Sequence, residues 1–157
     1  MRRRDKEITD SAIIEEILAA SQICRIAMAD GGEPYVVPVN YGYAAGVLYF
    51  HSAAGGKKVD ILRRCPRVCF EIESFSTIVT DPVPCEWTMK YRSVIGYASA
   101  EFITDDAGKR AALDCIMAQH GKKDANEYND NQVRSIVVVK LTIQSITGKQ
   151  SGDWDDK

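Results

Sequence analysis

The stretch from Pro34 to Tyr43 constrains this chain more than any other. Tyr35, Val37, Val39, Tyr41 and Tyr43 take every second position, and Val36, Pro38, Asn40 and Gly42 take those between. A period of two sends successive side chains to opposite faces, so the segment reads as one strand, bulky on one face and small or polar on the other. The same alternation returns at Cys24–Met28, Val47–Ser52, Val68–Glu73 and Ser135–Ile146, and as a long strand or bent pair over Glu86–Ile103. Asp30-Gly31-Gly32 and Ala44–Gly46 are hairpin signals between the early runs. Gly96 marks a bulge or a point of close approach. Three short helices interrupt the pattern. Thr9, Asp10 and Ser11 cap one that carries Ile13, Ile14, Ile17 and Leu18 on a single face; Gly55-Gly56 opens another through Ile61 and Leu62, ended by Pro66. The third is capped by Thr104 or Asp105, carries Ala112, Leu113, Ile116 and Met117, and stops at His120-Gly121. Ser74–Pro84 and the polar stretch after Gly121 read as loops.

About six strands with helical insertions predict a mainly β chain, a six-stranded antiparallel barrel, closed or split, because closure removes exposed strand edges. An α+β open sandwich is the competing arrangement. A length of 157 residues suits one domain, taken as residues 1–150, with residues 151–157 a polar tail. The net charge of -2 spreads no single-sign field over the molecule, which argues against nucleic acid or an anionic membrane as partner. Arg2, Arg3 and Arg4 resemble the start of an export signal, but Asp5, Lys6 and Glu7 follow where an apolar run is required. No stretch approaches the roughly 18 apolar residues of a membrane span, so the expected compartment is the cytoplasm. Five cysteines with no Cys-x-x-Cys pair read as reduced thiols. With His51 and His120 the only imidazoles, no metal site is expected.

Chemistry concentrates in three segments. Ser52-Ala-Ala-Gly-Gly-Lys57-Lys58 follows a strand and opens a helix. The first turn of a helix carries unpaired N–H groups and partial positive charge, so Lys57 and Lys58 sit at the unfavourable end, while Arg63 and Arg64 sit at the favourable one. An anion such as a phosphate, held by the loop amides, Ser52 and the lysines, removes the conflict; the alternative is that both lysines point into water. Neither the Walker A nor the dinucleotide glycine spacing is present. The small face formed by Pro38, Asn40 and Gly42 offers room for a flat ring, unless it is an ordinary solvent face. Trp87, Tyr91 and Arg92, near Cys85 and Met89, suit stacking on a ring, an interface, or plain core packing.

Taken in order, Pro38-Val-Asn-Tyr-Gly-Tyr, Leu48-Tyr-Phe-His-Ser, Gly56-Lys-Lys-Val-Asp-Ile-Leu-Arg-Arg, Pro66-Arg-Val-Cys-Phe-Glu and Lys90-Tyr-Arg-Ser-Val-Ile-Gly-Tyr resemble the nitroimidazole-resistance (Nim) branch of the pyridoxamine 5′-phosphate oxidase-like, FMN-binding split-barrel family. The opening Met-Arg-Arg-Arg-Asp-Lys-Glu and the closing Ile146-Thr-Gly-Lys fit too. The resemblance implies flavin mononucleotide (FMN) at the interface of a homodimer. Val39, Asn40 and Tyr41 would lie against the isoalloxazine, with His51 and Ser52 beside it. Lys57 and Lys58 would hold the phosphate, where the parent oxidases carry an Arg-Lys pair. Trp87, Tyr91, Arg92 and Ser93 would come from the partner subunit. The parent enzyme's C-terminal substrate-binding segment is missing, so pyridoxamine phosphate oxidation is not expected. Asp81-Pro-Val-Pro-Cys lies in a loop the family varies freely.

Two functions follow. One is an FMN-dependent oxidoreductase that passes electrons to a small nitro-aromatic or related acceptor, with His51 as proton donor or hydrogen-bond partner. The other is a non-catalytic module that stores or senses flavin, or holds another flat ligand such as haem.

Overall fold

Strand alternation becomes sheet where the sequence places it, and further. The computed structural model describes residues 3–122 and 124–154. Residues 1–2 of the basic start and 155–157 of the expected tail lie outside them. In chain order the elements are β1 (Glu7–Ile8), α1 (Ser11–Ala20), β2 (Ile23–Asp30), β3 (Glu33–Asn40), β4 (Gly42–Ala44), β5 (Val47–Ala53) and α2 (Lys57–Arg64). They continue with β6 (Arg67–Val79), β7 (Thr88–Ile103), α3 (Asp106–Gln119), α4 (Asp130–Ser135) and β8 (Ile136–Ser151). Asp10 caps α1 by accepting from the Ala12 N–H at 2.9 Å. Asp105 caps α3 by accepting from the Gly108 N–H at 2.7 Å.

The strands form one antiparallel sheet in the order β3-β2-β6-β7-β8-β5-β4, with β1 added to β8. Its two ends, β3 and β4, are separated in the chain by Tyr41 alone. The sheet therefore has to curl until its edges approach, which makes a barrel split along one seam. The class is the expected mainly β split barrel, but with eight strands rather than six. The two additions are β1 and the product of a break inside Pro34–Tyr43. Tyr41 causes that break: its buried side chain turns inward and its hydroxyl donates to the Leu18 carbonyl at 2.6 Å. Gly42 then runs against α3, where a Cβ would stand 2.5 Å from the backbone of Cys115 and Ile116. Gly42 is thus covered by a helix and does not share the open face with Pro38 and Asn40.

Ser74–Pro84 is not all loop. Past a bulge at Glu73/Phe75, β6 continues to Val79 by pairing with β7, and the two strands form a projecting arm. Alternation missed it because Phe75, Ile78 and Val79 all stay exposed, so no buried face exists to set a period. The stretch after Gly121 likewise contains α4, whose cap Asn129 accepts from the Asn131 N–H at 2.9 Å.

Two cores hold the barrel. Inside, Ile26, Phe50, Phe70, Ile72, Val94 and Leu141 pack with Ile17 and Leu18 of α1 and Leu62 of α2. Outside, Val138 is buried under Leu113 and Ile116 of α3 and Val133 of α4. Gly96 proves to be a close approach: a Cβ there would fall 2.4 Å from the Phe70 ring. The Gln119 amide donates to the carbonyls of Leu18, Ala19 and Ser21 at 3.0, 2.9 and 2.7 Å, tying α3 to the end of α1 and satisfying its last carbonyls. The five cysteines are free thiols, and burial pushes that of Cys24 up to about 12.

Candidate cofactor site

The end of β5 and the start of α2 meet in a loop whose geometry is set by Gly56. It caps α2 at φ 118°, a backbone conformation that side-chain-bearing residues rarely adopt. No side chain caps the helix, and a Cβ built at Gly55 or Gly56 would meet nothing within 4 Å. The loop is therefore open around its two glycines, and no side chain occupies the head of the helix. The two lysines that follow are not equivalent. Lys57 is answered by Glu33 at 3.2 Å and lies 4.8 Å from the centre of the Tyr35 ring. Lys58 is half-buried, stands 5.4 Å from the centre of the Phe50 ring, and has no acidic partner among the described residues. Burial pulls its pKa below the ordinary lysine value. An uncapped helix start beside a half-buried, unpaired ammonium fits a phosphate. The expected two-lysine clamp contains one lysine already free to act.

His51 and Ser52 lie on β5 paired with Val138 and Val137. The His51 ring is open to solvent on one side. Partial desolvation by its neighbours, then the charge of Lys58, hold its pKa below the usual imidazole value. Of Val39, Asn40 and Tyr41, only Asn40 turns its side chain outward; Val39 and Tyr41 belong to the inner core, leaving their backbone for a ligand. Gly42 pairs with Tyr49, so the chain passes from Asn40 at the end of β3 through Tyr41 onto the edge of β5. His51, Ser52, Lys57 and Lys58 thus share the end of β5 and the start of α2, while Asn40 stands exposed at the end of β3.

Trp87, Tyr91, Arg92 and Ser93 are elsewhere. His51 pairs with Val138 at one end of β8 and Tyr91 with Ser151 at the other. Thirteen residues of β8 separate those positions, roughly 40 Å of strand path at about 3.3 Å per residue. Trp87 is exposed and donates its indole N–H to the Asp81 carbonyl at 2.7 Å. The Arg92 guanidinium is fixed on three sides: Gln150 accepts from Nε at 3.1 Å, Glu16 lies 3.8 Å away, and the Trp154 ring is stacked at 4.0 Å. Trp154 also meets Phe75 edge-on at 5.3 Å.

The sequence reading passed over Trp154, hidden in a segment that looked like polar tail, and over Tyr128, Gln132 and Val133 beside His51. For those three, Asn129 as a cap was the available signal. Among the described residues, no group of three or more His, Cys, Asp or Glu side chains is placed to hold a metal, and no helix is long and apolar enough to cross a membrane.

An antiparallel split barrel with short helices is the architecture of the flavin-binding split barrels. The chain belongs to the pyridoxamine 5′-phosphate oxidase family, whose sequence model matches residues 10–150. It is similar to a candidate 5-nitroimidazole antibiotic resistance protein from Bacteroides thetaiotaomicron VPI-5482, with 36% identity, 91% of this chain and 85% of that one covered, and a TM-score of 0.82. The FAD and haem binding protein of Mycobacterium smegmatis shares the fold at a TM-score of 0.84, with 20% identity over 97% of this chain and 76% of that one. An uncharacterised protein of Rhizobium meliloti (strain 1021) is 33% identical over 61 residues, which span 39% of this chain and 40% of the relative.

Proposed function

We propose that the protein is an FMN-dependent reductase of small nitro-aromatic or related acceptors, working as a homodimer. The observation that carries this reading is Lys58: half-buried, without an acid, beside an uncapped helix start and within the electrostatic reach of His51. The bound flavin would supply hydride acceptance and electron transfer. Lys58 and the first amides of α2 would hold its phosphate, and Lys57 would join after releasing Glu33. Asn40 and the backbone of Val39 and Tyr41 would read the ring edge, with Ser52 alongside. His51, whose pKa desolvation and the Lys58 charge hold below the usual imidazole value, would donate a hydrogen bond from its ring to the acceptor.

Distance along β8 supports the homodimer. Tyr91, Arg92 and Ser93 lie toward the opposite end of β8 from His51 and its loop, so a partner would supply them and Trp87. The arm of β6 and β7 is suited to such a partner, because Ile78, Val79, Val83, Trp87 and Met89 are between 43% and 61% exposed on it. A concentration of apolar side chains on one projecting hairpin is the usual mark of an interface.

The module that binds flavin or haem without turnover keeps one observation in its favour: His51 makes no hydrogen bond among the described residues, so nothing orients it as an acid. The deciding experiment has two stages. Purified protein is analysed for released cofactor, FMN being expected; FAD or haem alone would count against the reading. Loaded protein is then assayed with a reduced nicotinamide donor and a nitro-aromatic acceptor. Tight FMN binding without turnover would favour the module.

A further inference from the structure

Beside His51 the barrel carries a cleft of about 310 Å³ between the ends of β5 and β8 and the outer layer of α3 and α4. Its walls are Leu113 of α3, Val133 of α4 and Tyr128 from the loop between them; His51, Gln132 and Ser135 stand at the rim. The Tyr128 hydroxyl is already used, donating to Asp114 Oδ1 at 2.9 Å, so the residue offers a ring face. Burial, then that hydrogen bond, hold its phenol proton on, up to about 12. The Ser135 hydroxyl donates to the Gln132 carbonyl at 2.8 Å. That leaves the His51 imidazole and the Gln132 amide as the polar groups available to a guest. No lining residue is charged.

We infer that this cleft is a subsite for a small, uncharged, single-ring acceptor, with Tyr128, Gln132 and Ser135 setting its selectivity. The volume lies at the low end of the roughly 300–1,000 Å³ typical of ligand pockets, which excludes a dinucleotide. Among the lining residues a carboxylate or phosphate finds no cation and an ammonium no acid, Lys58 reaching the cleft only through its charge on His51 at the rim; either would lose hydration largely uncompensated. A neutral ring loses little, gains the faces of Leu113, Val133 and Tyr128, and presents a polar substituent to His51 or Gln132. The catalytic meaning of the subsite rests on the reductase reading, but its existence does not.

The test is a titration of the purified full chain followed by NMR of the histidine rings. The sequence has two histidines, so a His120→Gln variant assigns His51. Nitrobenzene is expected to move the His51 and Tyr128 ring signals, and 4-nitrobenzoate at the same concentration to leave them in place. Ser135→Trp, at an exposed rim position, fills the cleft and should weaken nitrobenzene binding roughly tenfold or more, the loss expected when a phenyl-sized ring stays in water. Gln132→Glu, which adds charge without volume, serves should the tryptophan disturb folding, and should weaken nitrobenzene as well. Equal binding of the carboxylate, or undiminished nitrobenzene binding in both folded variants, overturns the proposal. Loss of flavin binding with the cleft response intact would refute the reductase reading alone.

Discussion

Replacing Lys58 by Ala separates the phosphate contact from everything else the loop does. Folding lowers the Lys58 pKa, so the unfolded chain holds this proton more tightly, and the charged side chain opposes folding through neutral pH. Removing it relieves that cost while giving up some packing of the aliphatic stem against Phe50. The two effects oppose each other, and apoprotein stability should change by no more than about 0.5 kcal/mol. FMN binding should respond quite differently. A hydrogen bond to a charged group contributes about 1.5–3 kcal/mol, so affinity should fall roughly ten- to a hundredfold. Riboflavin, which lacks the phosphate, should bind nearly as before. Lys57→Ala should cost less, because Glu33 already shares that charge at 3.2 Å. Quenching of flavin fluorescence gives all the dissociation constants, and a thermal melt gives the stability. Equal losses for FMN and riboflavin, or a larger effect at Lys57 than at Lys58, would refute the reasoning.

Other outcomes follow from the same structure. Gly42→Ala forces a Cβ to within 2.5 Å of the α3 backbone; overpacking of about 1–3 kcal/mol should lower the melting temperature by several degrees, and an unchanged melt would show that α3 yields freely. In Lys58→Ala the His51 pKa should rise yet stay below the ordinary value, because partial desolvation, the larger cause, persists; NMR titration measures this, and a fall would contradict it. As pH drops through the usual imidazole range the unfolded chain takes up this proton first, so His51 should make the fold less stable in acid. His51→Ala should keep FMN and slow electron transfer to a nitro acceptor by about 10²-fold or more, with flavin reduction little changed; stopped-flow absorbance separates the two half-reactions. Ile78→Glu on the exposed arm should shift the mass seen by light scattering from twice the chain toward one copy, and a dimer unaffected by it would place the interface elsewhere.

Much of this was legible in order along the chain. Caps at Asp10 and Asp105, the glycine turns and the alternation of β2, β5 and β8 are local signals, because each depends on residues within a few positions of one another. The loop from Ser52 to Lys58 was legible for the same reason: a helix start and its charges are neighbours in sequence. The arm of β6 and β7 was not, since exposed strands on both faces show no period. Nor was Trp154, whose partners Arg92 and Phe75 come from strands far back in the chain.

The sequence by itself determined which segments alternate, where they turn and where a cation stands at the wrong end of a helix. Tertiary structure alone decided the rest. Tyr41 turned inward because a buried carbonyl at Leu18 was there to receive its hydroxyl, and that broke one strand into two. Glu33 came within reach of Lys57, leaving Lys58 as the lysine without an acid. The two ends of β8 kept His51 and Arg92 apart. These pairings join residues distant in the chain, and the curl of the sheet, not the order of the letters, chooses which of them meet.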